Sequence, residues 1–389
     1  MTMLVEEIKT LSPQKTIELV YSGNDYFLRL EELINESKKE LHIQTYIFDT
    51  DSTGLRIVEA LKKAANREVK IYLLLDGFGS NSFSSNIVKE LRYYGVNVRF
   101  FSPLFSLNSF YIGRRLHQKV VISDGKKLLI GGINIADKYH ASSFETPWLD
   151  YAIEIESIVA KPVQQICRNF YFKKRKVRKS KIEATIFDKK PIDIRILQND
   201  WLNKKNEIQK EYVRSISNAQ KEIVIVGSYF FPGRKIAWAL KKASKRNVPI
   251  TLIVSGISDL PFLRSASLYL YSLLLKYNIE IYEWNKSVLH GKAAVIDRKW
   301  TTIGSFNMNN LSSFGSIEMN VEVKSESFSE KFLLDLDKII VQCTKITPET
   351  LKKRDGFFTR YSNLLSYFFI RIVVIIMTFF TKNRFLKSF

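Results

Sequence analysis

Two stretches of the chain place a histidine, a lysine, an aspartate and an asparagine at one common spacing. His117 is followed by Lys119, by Asp124 seven residues on, and by Gly131-Gly132-Ile133-Asn134, with Asn134 seventeen residues on. His290 is followed by Lys292, by Asp297 and by Gly304-Ser305-Phe306-Asn307 at the same offsets. Two residues apart on a strand, His and Lys face the same way, so each motif offers an imidazole beside an ammonium. The aspartates fall at the strand end, in Asp124-Gly125-Lys126 and Asp297-Arg298-Lys299, where a carboxylate can accept backbone N–H bonds. Brought together, the two sets suit a phosphodiester. One imidazole can attack phosphorus, the other can protonate the leaving alkoxide, and the lysines with the Asn amides can hold the non-bridging oxygens. No metal or other cofactor enters that scheme. The two remaining histidines, His42 on a buried strand and His140 in a polar turn, read as structural.

Elements that repeat twice must position these residues. Lys39-Glu40-Leu41-His42-Ile43 opens an apolar strand ending at Tyr46-Ile47-Phe48, and Lys221-Glu222-Ile223-Val224-Ile225 opens another ending at Tyr229-Phe230-Phe231. Each is followed by a helix-forming segment, Ala60-Leu61-Lys62-Lys63-Ala64 or Ala239-Leu240-Lys241-Lys242-Ala243, and then by a strand, Val69 to Leu75 or Val248 to Val254. A second helix and strand follow, with Gly95 and Asn278 suited to left-handed positions past the helix ends. Strands alternating with helices predict an α/β fold of two pseudo-symmetric α/β sandwich halves, each with a mostly parallel sheet. The expected divisions are 1–172 for the first half, 173–190 for a basic linker, 191–350 for the second half and 351–389 for a C-terminal apolar helical segment. The linker contains KKRKVRKSK, seven basic residues in nine, which suits a solvated face or a patch on phosphates.

The chain has 389 residues, with 46% hydrophobic and 25% charged, which excludes a disordered, collagen-like or disulfide-scaffold chain. Cys167 and Cys343 are too few for a disulfide framework and read as buried thiols in a reducing compartment. Lys and Arg number 60 against 39 Asp and Glu, a net charge of +21, so the expected partner is polyanionic: nucleic acid or an anionic membrane surface. Met1 to Gln14 carries Glu6 and Glu7 and no long apolar run, and reads as neither a signal peptide nor an anchor. Leu364 to Phe380, LLSYFFIRIVVIIMTFF, is apolar save for Arg371 and is about one membrane span long. Arg360 before it and Lys382, Arg384 and Lys387 after it make both flanks basic, which favours an element embedded in one leaflet with both ends on the cytoplasmic face. That run suits a lipid enzyme and argues against a nuclease.

The duplicated H-x-K-x4-D with G-[GS]-x-N resembles the phospholipase D superfamily. Thr45-Tyr46-Ile47-Phe48, Asp76-Gly77-Phe78-Gly79-Ser80, Gly131-Gly132-Ile133-Asn134-Ile135 and Trp148-Leu149-Asp150 resemble, more narrowly, bacterial cardiolipin synthases. The resemblance covers about residues 20 to 325. It implies a two-step displacement in which His117 becomes a phosphohistidine and His290 serves as acid, then base. It also implies that Lys119, Lys292, Asn134, Asn307 and Ser305 bind the phosphate, and that Asp124 and Asp297 are structural. Glu318 and Asp150 are then the carboxylates that orient the two histidines. The expected reaction is phosphatidyl transfer to the glycerol of phosphatidylglycerol at the cytoplasmic face of a bacterial inner membrane. A phospholipase D-like lipid phosphodiesterase and a nuclease of the superfamily are the alternatives, nucleic acid being the less favoured partner. Gly132, matching Ser305, leaves one hydroxyl fewer for the phosphate.

Overall fold

The computed structural model describes residues 16–386 except 104, 107–108, 111–113, 141–145, 174–180, 188–189, 201–202, 204, 229, 259, 309–314 and 355. Met1–Gln14 and residues 174–180 and 188–189 of the expected linker lie outside the described residues, while 182–187 of that range form a strand of the second sheet. The first half runs β1 (Thr16–Tyr21), α1 (Asn24–Glu36), β2 (Glu40–Thr45), α2 (Ser52–Asn66), β3 (Lys70–Asp76), α3 (Ser85–Tyr93), β4 (Asn97–Phe101), β5 (Phe105–Ser106), β6 (Ser109–Phe110), β7 (Arg115–Leu116), β8 (Lys119–Ser123), β9 (Lys127–Gly131), β10 (Tyr151–Glu156) and α4 (Ala160–Tyr171). The second runs β11 (Ile182–Phe187), β12 (Pro191–Asp200), β13 (Lys205–Asn206), α5 (Glu207–Asn218), β14 (Ile223–Gly227), α6 (Arg234–Lys245), β15 (Ile250–Ser255), α7 (Pro261–Lys276), β16 (Ile279–Trp284), β17 (Lys292–Ile296), β18 (Trp300–Gly304), β19 (Ser316–Lys324), α8 (Glu326–Ile340), β20 (Thr344–Ile346), α9 (Pro348–Arg354) and α10 (Phe357–Leu386).

The first sheet has the order β1-β10-β9-β8-β2-β3-β4, and the second contains β12-β19-β18-β17-β14-β15-β16, the same path repeated, with β11 and β20 at its ends. The α/β duplication is therefore as expected, but the sheets are mixed rather than mostly parallel. Only β2, β3 and β4, and β14, β15 and β16, form runs of parallel neighbours. The motif strands β8 and β17 instead turn straight back into β9 and β18. The reason lies in the turns: Asp124 and Gly125, and likewise Asp297 and Arg298, all have positive φ between 54° and 66°. Two consecutive left-handed residues make the tight turn that matches strand twist, and a two-residue connection can join only antiparallel strands.

The motif aspartates fasten these turns to the rest of each half. Asp124 accepts from the N–H groups of Lys38, Lys39 and Glu40 at 2.8–2.9 Å. Asp297 accepts from those of Gln220, Lys221 and Glu222, just before β14. Burial alone would raise Asp124, but its three backbone bonds hold it below the usual carboxylate range. Gly95 and Asn278 both take positive φ, as expected of residues past a helix end.

The halves share a core. Val120, Ile122, Ile130 and Ile153 of the first cluster with Val226, Ile253, Val295, Met319 and Val321 of the second. β9 and β10 lie against β18 and β19, so the strand ends that carry the two motifs meet at one seam. Cys167 is buried as expected, whereas Cys343 is only partly so; both are free thiols.

The C-terminal run lies within α10. Among the described residues no helix is long and apolar enough to cross a membrane. α10 packs one face along α7, burying Ile370 beside Phe231 and Ala266 and setting the Tyr367 ring, tilted, against that of Tyr269 with centres 4.7 Å apart. An apolar run reads the same whether a neighbouring helix or lipid covers it, and here α7 covers one side.

Candidate active site

Each histidine is held by the other half of the chain. β7 adds to the second sheet, pairing in parallel with the start of β19, and the N–H groups of His117 and Gln118 both donate to the Ile317 carbonyl at 3.0 and 2.9 Å. In the matching place, the N–H groups of His290 and Gly291 both donate to the Leu149 carbonyl at 2.8 and 3.0 Å. The residues following those carbonyls are Glu318 and Asp150. His117 Nδ1–H donates to Glu318 Oε2 at 3.0 Å, and His290 Nδ1–H donates to Asp150 Oδ2 at 2.6 Å. Both carboxylates are fully buried. The sequence-based pairing of a histidine with a carboxylate is thus realised crosswise, and each imidazole keeps Nε2 for chemistry.

The lysines flank this pair. Lys119 Nζ donates to the His117 carbonyl at 2.7 Å and lies 5.3 Å from the centre of the Tyr46 ring. Lys292 Nζ donates to the His290 carbonyl and stands 3.7 Å from Asp150 Oδ2. It is also 2.6 Å from His290 Nδ1, but that nitrogen has one hydrogen and spends it on Asp150. Burial pushes Lys119 down to about 7, and the positive charge of Lys292 adds to the effect. Burial lowers His117, and its Lys neighbours oppose the restoring pull of Glu318. His290 is held well below its ordinary value by burial, then by Lys292 and Lys119. Asp150 is pushed up to about 6 by burial, against the pull of Lys292. These charges act on one another across the halves, so the two motifs form one site in which the ammonium groups of Lys119 and Lys292 stand against the buried carboxylates Glu318 and Asp150.

The remaining expected residues lie beside these groups. Asn134 Oδ1 accepts from the Ile47 N–H at 3.1 Å, and its Nδ2 donates to the Tyr139 hydroxyl at 2.8 Å. Asn307 Oδ1 accepts from the Ser228 hydroxyl at 3.0 Å. Ser305 accepts from the Met319 N–H and donates to Glu318 Oε2, so its hydroxyl is turned to the carboxylate. In the first half a side chain at Gly132 would displace the carboxylate: a Cβ there would lie 2.3 Å from Asp150 Oδ1. The Gly132 and Ser305 difference therefore follows the two carboxylates, one lying against the backbone and the other held by a hydroxyl.

The family model described as "Cardiolipin synthase, PLD-like domain" matches residues 30–167 and 212–340, more than half of the chain. The chain belongs to that family. It is 29% identical over 368 residues to cardiolipin synthase B of Shigella flexneri and equally to that of Escherichia coli K12, covering 91% of this chain and 87% of theirs. It is 27% identical to a cardiolipin synthase of Clostridium perfringens strain 13, covering 89% of this chain and 74% of that one. Among solved structures, phosphatidylserine synthase of Haemophilus influenzae Rd KW20 superposes with a TM-score of 0.70 at 14% identity, covering 92% and 96% of the two chains. Polyphosphate kinase of Porphyromonas gingivalis superposes at 0.59 and 15% identity, covering 83% of this chain and 46% of that one. Those two likenesses bear on the fold. As a member of this phospholipase D-like family the chain is a transferase or phosphodiesterase.

Sequence reasoning passed over several residues that place the family's paired motifs here. Asp76, buried at the end of β3, accepts from the N–H groups of Phe78 and Gly79 and, at 2.7 Å, from that of Leu116, directly before His117. Arg114, two residues earlier, is paired in bidentate fashion with Asp200 on β12, another tie between halves. Tyr46 meets the His117 ring edge-on at 5.0 Å, and Tyr139 and Trp148 lie 5.4 and 5.9 Å from the His290 ring. Asp76, Tyr46 and Trp148 stand inside the stretches that carry the family resemblance, which was the available signal; Tyr139 had none. His42 and His140 are structural as expected: His42 bonds Glu40 and stacks on Tyr72, and His140 bonds Thr53.

Proposed function

We propose that the chain is a cardiolipin synthase-type phosphatidyltransferase working through a phosphohistidine. Neutral His117, its Nδ1–H held by Glu318, attacks the phosphorus of a phosphatidyl donor with Nε2. Burial and the lysine charges hold the free His290 neutral; the bound phosphodiester anion offsets those charges, so His290 takes up a second proton. As the imidazolium, with Nδ1–H still on Asp150, it gives the Nε2 proton to the departing alkoxide, and the P–O bond breaks as the P–N bond forms. The glycerol hydroxyl of a phosphatidylglycerol then attacks, His290 takes its proton, and the P–N electron pair returns to His117. Lys119 and Lys292 balance the charge on the non-bridging oxygens, and the Asn134 and Asn307 amides brace the loops beside them.

The observation that carries this reading is the crosswise pairing of two imidazoles with two buried carboxylates between two lysines. The names of the relatives support the substrate class, and the +21 charge favours an anionic lipid surface, which we place on the cytoplasmic face of a bacterial membrane with the C-terminal segment against it. Expression in cells that lack cardiolipin, followed by mass spectrometry of their lipids, tests it. Cardiolipin should appear with the wild-type chain and be absent with His117→Ala. Phosphatidic acid in its place would mean that water, not alcohol, takes the phosphatidyl group. A covalent phosphatidyl adduct trapped in His290→Ala and missing from His117→Ala supports the assigned roles; the reverse exchanges them.

A further inference from the structure

Three neighbouring helices of the second half, α6, α7 and α10, contain no Asp or Glu. Their basic residues are Arg234, Lys235, Lys241, Lys242 and Lys245 on α6, Arg264 and Lys276 on α7, and Arg360, Arg371, Lys382 and Arg384 on α10. Of the other helices only α4 is acid-free among the described residues, with Lys161 and Arg168 alone, and the rest mix both signs, as α1 and α8 do. The three also leave large apolar side chains in water. Trp238 of α6 is 57% exposed and Phe262 of α7 is 68% exposed, and Leu273, Phe368, Phe369, Ile372 and Ile375 are exposed as well. A groove of about 340 Å³ runs between the helices, lined by the apolar Trp238, Leu270, Leu273 and Tyr367 and by the cations Arg234, Lys241 and Arg371.

The position of this surface relative to the histidines follows from the chain path. α7 leaves the end of β15, whose last residue, Ser255, accepts from the N–H of Leu289 directly before His290 at 2.9 Å. α10 runs antiparallel to α7: Phe369 faces Phe262 at the start of α7, while Tyr361 and Leu364 share a groove with Leu275 and Lys276 at its end. The apolar side chains at Phe262, Phe369, Ile372 and Ile375 therefore gather at the end of α7 that lies toward His290. Arg264 ties that end to the sheet by donating to the Ser255 carbonyl at 2.8 Å and to Glu283.

We infer that α6, α7 and α10 form a docking surface for an anionic phospholipid bilayer, with the groove between them seating one lipid. The phosphate of that lipid meets Arg234, Lys241 and Arg371, and its acyl chain lies on Trp238, Leu270 and Leu273. Acid-free cationic helices carrying exposed aromatic and aliphatic side chains match a negatively charged headgroup layer over hydrocarbon, and they match no acidic protein surface as well, because the apolar tip would stay wet there. The inference rests on the lipid reading of the active site, and it adds two helices to the C-terminal run as the part that meets the membrane.

Sedimentation of the full chain with vesicles tests it. Vesicles of phosphatidylcholine with phosphatidylglycerol should carry the protein down at low salt and less of it at high salt, and vesicles of phosphatidylcholine alone should carry little. Removing two surface cations weakens binding about 30-fold, so Arg234→Gln with Lys241→Gln should lose most sedimentation, and Trp238→Ser should lose it without any change of charge. Lys63→Gln with Lys70→Gln, on the first half, serves as the equal-charge control and should sediment like wild type. Circular dichroism and thermal melts confirm that each variant is folded. Equal loss in the control, or wild-type binding by the α6 variants, overturns the surface. Because sedimentation is read without turnover, a chain that docks but turns over no lipid sinks the reading of the active site and leaves the docking surface standing.

Discussion

Replacing Glu318 with Gln separates the two things that a carboxylate does for His117, its charge and its aim. Ser305 decides how the amide will lie. Its hydroxyl accepts from the Met319 N–H, so its own hydrogen goes to the atom now occupied by Glu318 Oε2. In Glu318→Gln only the amide oxygen can accept there, which keeps an acceptor facing His117 Nδ1 and preserves the tautomer with Nε2 free. What remains lost is the charge. A hydrogen bond to a charged group contributes about 1.5–3 kcal/mol and a neutral one about 0.5–1.5, so the imidazolium character of the phosphohistidine step loses roughly 1–1.5 kcal/mol, about tenfold in rate. That is far milder than the ~10⁴-fold loss expected when an amide turns its NH₂ to the ring and imposes the wrong tautomer.

The serine makes this testable as a cycle. Ser305→Ala alone should leave the rate within about twofold, because a carboxylate offers oxygens in both positions. In the Glu318→Gln background the same change frees the amide to turn and should cost a further ~5–10-fold, the value of the ~1 kcal/mol hydrogen bond that held it. The assay is release of a chromogenic leaving group from a phosphodiester, whose easy departure makes little demand on His290 and so isolates attack by His117. A 10⁴-fold loss in Glu318→Gln itself would refute the serine's hold on the amide. So would an equal effect of Ser305→Ala in both backgrounds, and a full-rate Glu318→Gln enzyme would refute the orienting carboxylate.

Lys119, pushed down to about 7, gives up its charge as pH rises, so kcat/KM for the free enzyme should fall above about pH 7 while kcat, with the substrate anion bound, holds to higher pH; Lys119→Arg should move the limb upward, and a flat kcat/KM from pH 6 to 9 would contradict it. Asp150→Asn should fold and lose rate through His290, with its defect smaller for chromogenic than for alkyl leaving groups, which paired rate measurements check. Asp297→Asn should instead lower the melting temperature, by the roughly 1–3 kcal/mol of weakened or lost backbone bonds, and leave the rate per folded molecule near wild type. Asp124, depressed below its unfolded value, contributes stability above that value and loses it as pH falls through its own, so Asp124→Asn should flatten the acid side of the stability curve measured by urea titration at stepped pH. EDTA should leave turnover unchanged, since the phosphate is met by lysines; loss restored by a divalent ion would overturn the scheme.

How much of this was legible in the residues depended on the range over which each interaction acts. The duplication, the motif strands and the turns that Asp124 and Asp297 fasten are local in the chain, and spacing alone revealed them. The mixed sheet was legible in part: Asp124-Gly125 is a recognised signal for a tight hairpin and hence for an antiparallel strand, but Asp297-Arg298 is not, because an arginine seldom takes positive φ. The crosswise partners were not legible, since a spacing of eleven or sixteen residues from Asn307 or Asn134 says which carboxylate follows a motif and nothing about which histidine it faces. The same limit hid Arg114 with Asp200 and the seating of α10 on α7, contacts made between segments far apart in the chain.

Crosswise pairing also explains why two copies of one motif need not be equivalent. Each half contributes a strand end to the other's histidine through the same pair of backbone bonds, so the backbone frame is nearly symmetric. The asymmetry is confined to what fills it. Glu318 is one methylene longer than Asp150 and is steadied by Ser305, whereas Asp150 lies against Gly132 and close to Lys292. His117 therefore faces a carboxylate held in one orientation, which favours a fixed nucleophile. His290 faces a carboxylate pushed up to about 6 and shared with an ammonium, so its proton affinity responds to whatever charge arrives. A group that must first give a proton and then take one needs that responsiveness, and a nucleophile does not. Exchanging the two environments, with Asp150→Glu and Glu318→Asp in one chain, should then slow both steps even though every ionisable group is kept. Wild-type turnover in that double variant would show that the asymmetry has no part in dividing the roles.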